Sequence, residues 1–185
     1  MAKKKILLVV LLLVIAVISY VYLSDRQNRK DIETTSVNEA KTDLNLYEED
    51  TIIEGHGWKN IVLGVSKDNI IGVIGEPSEI INYSDVYFYN YYPLGIQINF
   101  NRALNTAKAI FFYNNQSDNE QFSVFTKGTS KGIGFSNSAD DVIQKYDEPQ
   151  NNYTGNDKGI DWRRIEYSNI DFRFENGKMV RISVR

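Results

Sequence analysis

The feature that most constrains this chain is a repeat of its own sequence at a fixed distance. Residues 59–77 align without a gap on residues 131–149, at a constant offset of 72, and seven of the nineteen positions are identical. Ser66 falls on Ser138, Asp68 on Asp140, Ile71 on Ile143, and Glu76-Pro77 on Glu148-Pro149. Self-similarity of this kind marks a structural unit used twice.

The shared segment reads as a capped helix. Ser66 and Ser138 stand where a hydroxyl can accept the free amide protons of a first helical turn. Asp68 and Asp140 fall within that turn, where the helix dipole favours negative charge. Ile70, Ile71 and Ile74, matched by Val142, Ile143 and Tyr146, give the apolar stripe of a short helix buried on one side. Pro77 and Pro149 forbid its continuation. Strand signals follow each helix. Residues 86–92 and 162–167 are aromatic and β-branched, while residues 95–100 and 169–174 alternate apolar with polar, as in a sheet with one wet face. Residues 108–113 and 178–184 form a last strand, the second reached through the turn Glu175-Asn176-Gly177-Lys178. The expected fold class is therefore α+β: a single N-terminal transmembrane helix, then two tandem repeats of a short helix followed by a three-stranded antiparallel meander. The expected boundaries are a membrane anchor at 1–24, a polar tether at 25–57, repeat 1 at 58–116 and repeat 2 at 117–185.

The transmembrane expectation rests on residues 6–23, an uncharged run preceded by Lys3, Lys4 and Lys5 and closed by Tyr20 and Tyr22. Its length approaches what a helix needs to cross the hydrocarbon core, and tyrosines suit the headgroup layer. The exit Ile18-Ser19-Tyr20-Val21-Tyr22-Leu23 is a poor signal-peptidase site, and there is no cysteine to carry a lipid. Arg26, Arg29 and Lys30 nearly balance the three lysines, so charge alone leaves the orientation open. A short N-terminal stub and a long C-terminal part lead us to expect a single-pass protein of the cytoplasmic (inner) membrane, with its folded part extracytoplasmic. Beyond the three N-terminal lysines the chain holds 24 acidic and 18 basic residues, a net of −6. That balance, without a basic patch, excludes nucleic acid as a partner.

The cap Gly64-Val65-Ser66, the helix end Gly75-Glu76-Pro77, and the later Tyr92…Leu94-Gly95-Ile96-Gln97-Ile98-Asn99-Phe100 form a recognisable combination. It resembles the tandem helix-plus-sheet repeats of the β-lactamase inhibitory protein and the single such unit of the SmpA/OmlA outer-membrane assembly lipoproteins. The resemblance covers roughly residues 58–185, and implies an envelope-located, non-catalytic binding module that uses a concave sheet. Two departures matter: the lipid-bearing cysteine is missing, and each unit shows one clear helix where those families have two.

A catalytic constellation is not legible. His56 is the only histidine, it sits in Glu54-Gly55-His56-Gly57, and no Gly-x-Ser-x-Gly elbow supplies a nucleophile. The run from Gly128 to Gly134 resembles a dinucleotide-binding glycine fingerprint, but the helix signal begins later, at Ser138, so no cofactor is expected. Asp140/Asp141 and Asp147/Glu148 are accounted for by a helix start and a turn, and no metal site is expected. The candidate binding residues are Tyr87, Tyr89 and Tyr91, which share one strand face, with Trp162 and Arg164 at the matching positions of the second unit. Tyr, Trp and Arg dominate interface hot spots, although the same rings can simply cover a thin core. The functional expectation is a membrane-anchored extracytoplasmic module that binds another envelope protein as an inhibitor, immunity or assembly-accessory factor. An envelope enzyme or accessory acting on cell-wall polymer is the alternative, and a scaffold whose main partner is itself is a third.

Overall fold

The computed structural model describes residues 50–115 and 120–185. Three two-residue strands open the fold: β1 (Ile52–Ile53), β2 (Gly57–Trp58) and β3 (Ile61–Val62), paired antiparallel in that order. Helix α1 (Lys67–Ile74) leads into β4 (Glu79–Asn82), β5 (Val86–Tyr91), β6 (Ile96–Asn101) and β7 (Thr106–Tyr113). Helix α2 (Ala139–Tyr146) leads into β8 (Asn151–Asp157), β9 (Ile160–Glu166), β10 (Ile170–Glu175) and β11 (Lys178–Val184). These eight strands form one antiparallel sheet in the order β4-β5-β6-β7-β11-β10-β9-β8.

The two helices start where the hydroxyl caps place them. Ser66 Oγ accepts from Asn69 N at 3.3 Å. Ser138 makes a reciprocal box, with Asp141 N donating to Ser138 Oγ at 3.2 Å and Ser138 N donating to the Asp141 carboxylate at 2.8 Å. The Ser138 backbone N–H, and then its hydroxyl, donate to the Asp141 carboxylate and hold that carboxyl below its ordinary pKa. Helix α1 ends on Gly75, whose φ of +84° suits a residue without Cβ. At the matching position α2 ends on Asp147 with φ +65° and ψ −158°, a backbone region that is essentially glycine's, so the aspartate there is strained.

One face of the large sheet is buried. Ile96, Ile98 and Phe100 of β6 alternate with half-buried Gln97, Asn99 and Asn101. On the same face stand Ile110 and Phe112 of β7, Ile165 of β9, Phe172 and Phe174 of β10, and Ile182 and Val184 of β11, all at 2% exposure or less. Ile70 of α1, Val142 and Tyr146 of α2, and Ile52 and Ile61 of the small sheet join the same cluster. The small sheet is tied down by its backbone, Ile52 N donating to Gly128 O and Ser130 N to Ile52 O, both at 2.8 Å. Its turn requires Gly57, with φ +142°, because an added Cβ would lie 2.2 Å from Ile61 O. Phe125, from the irregular segment after β7, seals this end against Trp58 and Phe112.

Two expectations are corrected here. The fold is mostly β, not two helix-plus-three-stranded-meander repeats: four strands follow each helix, and all eight hydrogen-bond into a single sheet through the β7–β11 pair. The three-stranded count missed β4 and β8, the two edges of the sheet. Edge strands bury little and so carry no alternating apolar pattern, as Asn151 to Asp157 illustrates. The membrane assignment is also corrected. Among the described residues no helix is long and apolar enough to cross a membrane, each of the two α-helices having eight residues, so the transmembrane and signal-anchor reading has no support there. Its span, residues 6–23, lies outside the described residues, as does most of the expected tether. The last part of that tether belongs to the fold, because Ile52 is fully buried.

Asp50 pins the small sheet from outside. Its carboxylate pairs with Lys127 and with Lys59 (3.1 Å) and accepts the Trp58 indole N–H at 3.0 Å. The Lys127 bond, then Lys59, pull the Asp50 pKa from 3.8 to about 2 against the opposing effect of burial, with a lesser contribution from the Trp58 indole. A carboxyl depressed in the folded state stabilises the fold above its unfolded pKa and ceases to do so as pH falls through its folded one. The Trp58 indole N–H resonance should therefore hold its shift down to about pH 4 and move with a midpoint near 2. In Asp50→Asn that titration should vanish; a midpoint at the ordinary carboxylate value would show that the cluster does not form.

Candidate binding face

No described helix or strand covers the other face of the large sheet; at its β7 end Phe122, from the segment after β7, stacks on Tyr113 at 4.3 Å. Strand alternation puts on it Phe88 and Asn90 of β5, Gln97 and Asn99 of β6, Phe111 and Tyr113 of β7, Arg181 and Ser183 of β11, Asp171, Arg173 and Glu175 of β10, and Trp162, Arg164 and Glu166 of β9. Apolar side chains are few, and most of the polar ones bond to one another, the Asn99 Oδ1 being buried without a hydrogen-bond partner.

A hydrogen-bonded chain runs across it. Asn90, 2% exposed, donates to the Glu79 carboxylate at 2.9 Å and accepts from Gln97 Nε2 at 2.8 Å. Tyr113 donates to Gln97 Oε1 at 3.0 Å. Burial raises the Tyr113 pKa while Arg181 beside it works the other way. Arg181 Nε donates to Ser183 Oγ at 3.1 Å, and Ser183 donates to Asp171 Oδ1 at 3.2 Å. Asp171, only 1% exposed, then takes Arg164 through Nε (3.3 Å) and Nη2 (3.4 Å), with Arg185 Nε at 3.7 Å and Arg181 Nη2 at 3.9 Å. Glu166 adds a second carboxylate to Arg164 (2.9 Å) and Arg185 (3.4 Å), and Glu175 holds Arg173 Nε at 3.0 Å.

The register makes this arrangement costly without those acids. Arg181 lies directly opposite Arg173, and Arg173 directly opposite Arg164, on three neighbouring strands. Like charges facing each other across strands are destabilising. Each of the three uses its Nε toward an inner carboxylate or hydroxyl. Two also lie on aromatic faces, Arg181 at 5.3 Å from the Phe111 ring centroid and Arg173 at 5.5 Å from that of Trp162. Trp162 in turn leans over Gly155, where an added Cβ would stand 2.5 Å from Cζ2. The guanidinium planes are thus fixed from below, and the side chains of the row keep 24–32% of their surface in solvent.

The sequence-predicted residues divide between the two faces. Trp162 and Arg164 belong to the open face. Tyr87, Tyr89 and Tyr91 lie on the buried one, at 8%, 6% and 3% exposure, with Tyr87 stacked on Phe100 at 5.4 Å. The separation traces to a slip of one residue. Tyr89 pairs with Ile98 and Ile165 with Phe172, which aligns Tyr89 with Ile165, whereas the sequence match set it against Arg164. A shift of one residue along a strand exchanges its faces. Asp171, Arg173, Arg181 and Arg185 were not singled out from sequence. Their signal was the strict alternation of polar or charged with apolar residues in Ile170 to Phe174 and Val180 to Arg185.

The remaining chemistry is sparse. His56 lies in the turn between β1 and β2, where its backbone N–H bonds Ile53 O and its carbonyl accepts from Leu63 N. Among the described residues no group of three or more His, Asp or Glu is placed to hold a metal ion. A cleft of about 450 Å³ lies between Ala139 at the start of α2 and Thr154, Asp161, Arg163 and Phe174. A smaller one, about 230 Å³, is bounded by Glu54, Lys131, Tyr146 and Tyr167. There the Tyr146 hydroxyl bonds Glu54 under Lys131, and burial, reinforced by Glu54, raises the Tyr146 pKa.

No family model matches this chain, and no curated protein matches it. Among solved structures it is similar to an extracellular protein containing an SCP domain from Bacillus anthracis strain Ames, at 11% identity and TM-score 0.41, over 65% of this chain and 43% of that one. It is also similar to a DUF4309 family protein, YjgB, from Bacillus subtilis subsp. subtilis strain 168, at 9% identity and TM-score 0.43, over 71% of this chain and 88% of that one. The alignment spans less than half of the first protein. Likenesses at this level assign neither a family nor an activity.

Asp171 is the shared acceptor of the arginine row. Asp171→Ala should lower the free energy of unfolding by about 1.5–3 kcal/mol, the range for hydrogen bonds to charged groups. A fall in urea midpoint at constant slope measures it; an unchanged midpoint would show that the arginines are held some other way.

Proposed function

We propose that this chain is a non-catalytic binding module that engages an acidic surface of another protein through the open face of its eight-stranded sheet. One observation carries the reading: Arg164, Arg173 and Arg181 stand in a cross-strand row on that face, each tethered through Nε to an inner acceptor. A row of like charges on neighbouring strands costs stability. Guanidinium groups held from beneath have already lost the rotamer freedom that an interface would otherwise have to remove. Carboxylates of a partner are the groups such a row fits, since they accept paired N–H donors. The cell-envelope setting of the partner comes from the sequence resemblance and stays part of the proposal. The alternative, an envelope enzyme or accessory acting on cell-wall polymer, gains no observation, because no nucleophile, base and orienting group converge among the described residues.

The test places a photoreactive residue at position 162, on the open face, or at position 73, exposed on α1, in the producing cell. Position 162 should capture a discrete partner that position 73 does not. Arg173→Ala combined with Arg181→Ala should weaken that partner's binding about tenfold or more, with a thermal midpoint shift of less than about 5 °C. Equal capture from both positions, or binding indifferent to the two arginines, would overturn the reading.

A further inference from the structure

We infer that the free edge of the large sheet is a self-association surface: β8 pairs antiparallel with β8 of a second copy about a two-fold axis through Thr154. This is independent of the open-face reading, because it concerns backbone groups at the rim of the sheet.

The two edges of the sheet are built differently. Natural edge strands are guarded by shortness, by lysine or proline in the strand, by a bulge, or by a cover. Strand β4 is four residues long and follows closely on Pro77. Strand β8 has seven residues, pairs with β9 at every one of them without a register shift, and contains no lysine, arginine or proline. Its one charge, Asp157, is at its end. Six of its seven residues are exposed, Tyr153 at 49%, and no described element pairs with its outer side. Pro149 and the Lys158-Gly159 turn bound the stretch, so the unguarded edge is this one strand.

The sequence of β8 complements itself in one register. With Thr154 on the axis, Tyr153 faces Gly155 of the second copy, Asn152 faces its Asn156, and Asn151 faces its Asp157. Tyr153 and Gly155 are two residues apart and share a face, and Trp162 of the same chain already lies over Gly155, so the ring of the second copy's Tyr153 would pack against that indole. Aromatic contacts across strands favour one register over others. The amide pairs supply both donors and acceptors, and no like charges oppose each other. A two-fold axis through the strand pair is perpendicular to the sheet. It leaves both open faces on one side, so the two arginine rows would act together on a repeating or dimeric partner. Edge pairing buries little area, which sets the association at the weak, concentration-dependent end of protein interfaces.

The chain has no cysteine, so introduced thiols report the register directly. Full chains carrying Asn152→Cys or Asn156→Cys are mixed under mild oxidation, one of them mass-tagged. Facing residues in an antiparallel pair have Cα atoms about 4.5–5.5 Å apart, within disulfide range. The mixed 152–156 disulfide should exceed the 152–152 and 156–156 products, and a control mixture with Val124→Cys, by roughly tenfold, as effective concentration dictates. Adding Thr154→Lys, which sets two ammonium groups opposite each other on the axis, should remove the excess without moving the unfolding midpoint. No preference for the 152–156 product, or a preference that survives Thr154→Lys, overturns the inference; a strictly monomeric edge open to another extended chain would give the first of these results.

Discussion

The pairing of β7 with β11 is the contact on which the rest depends. Ile110 to Tyr113 runs antiparallel to Arg181 to Val184, and through these residues the strands following α1 and those following α2 become one sheet. The seam sorts side chains by alternation. Ile110, Phe112, Ile182 and Val184 enter the common core with both helices, while Phe111, Tyr113, Arg181 and Ser183 pass to the open face. Without it each half would expose a strand edge in the middle of its apolar face, and the polar chain from Glu79 to Glu166 would break between Tyr113 and Ser183.

That polar chain changes character at the seam. On the β4–β7 side it is built mainly of neutral amides and a phenol, and on the β8–β11 side of arginines and carboxylates. Asp171 sits at the turning point, buried yet shared by three guanidinium groups and a hydroxyl. Stability alone would not favour this arrangement, since well-packed apolar residues often replace a buried ion network without loss. Its distinctive product is orientation: charged groups held in fixed planes on a surface that no described helix or strand covers. A binding role uses that product, which is why the functional reading rests on this face and not on the clefts.

Much of the local structure was legible in the sequence. Both serine caps, both helices and six of the eight large-sheet strands follow from hydroxyl placement, proline stops and period-two alternation. What escaped was everything that short-range pattern does not encode. Strands β4 and β8 are edges and bury too little to alternate. The small sheet has two residues per strand, and its place in the core depends on a distant bond, Ile52 to Gly128. The seam joins residues about seventy positions apart, and nothing local announces which strand ends will meet. The tyrosines were misplaced for a narrower reason. The helices repeat at an offset of 72, but Tyr89 corresponds to Ile165, because the strands between drift in length. The sequence comparison fell one residue short, and in a strand one residue exchanges core for surface.

Native-state hydrogen exchange of the seam amides tests the central claim, that one cooperative sheet builds the open face. If β7 and β11 join as described, the inward-bonded amides among Ile110 to Tyr113 and Arg181 to Val184 should exchange only through global unfolding. Their opening free energy should then equal that of amides in the middle of β6 and β10. Seam amides that open well below that value, while β6 and β10 stay protected, would show two units that merely touch, and would contradict both the single sheet and the face built across it.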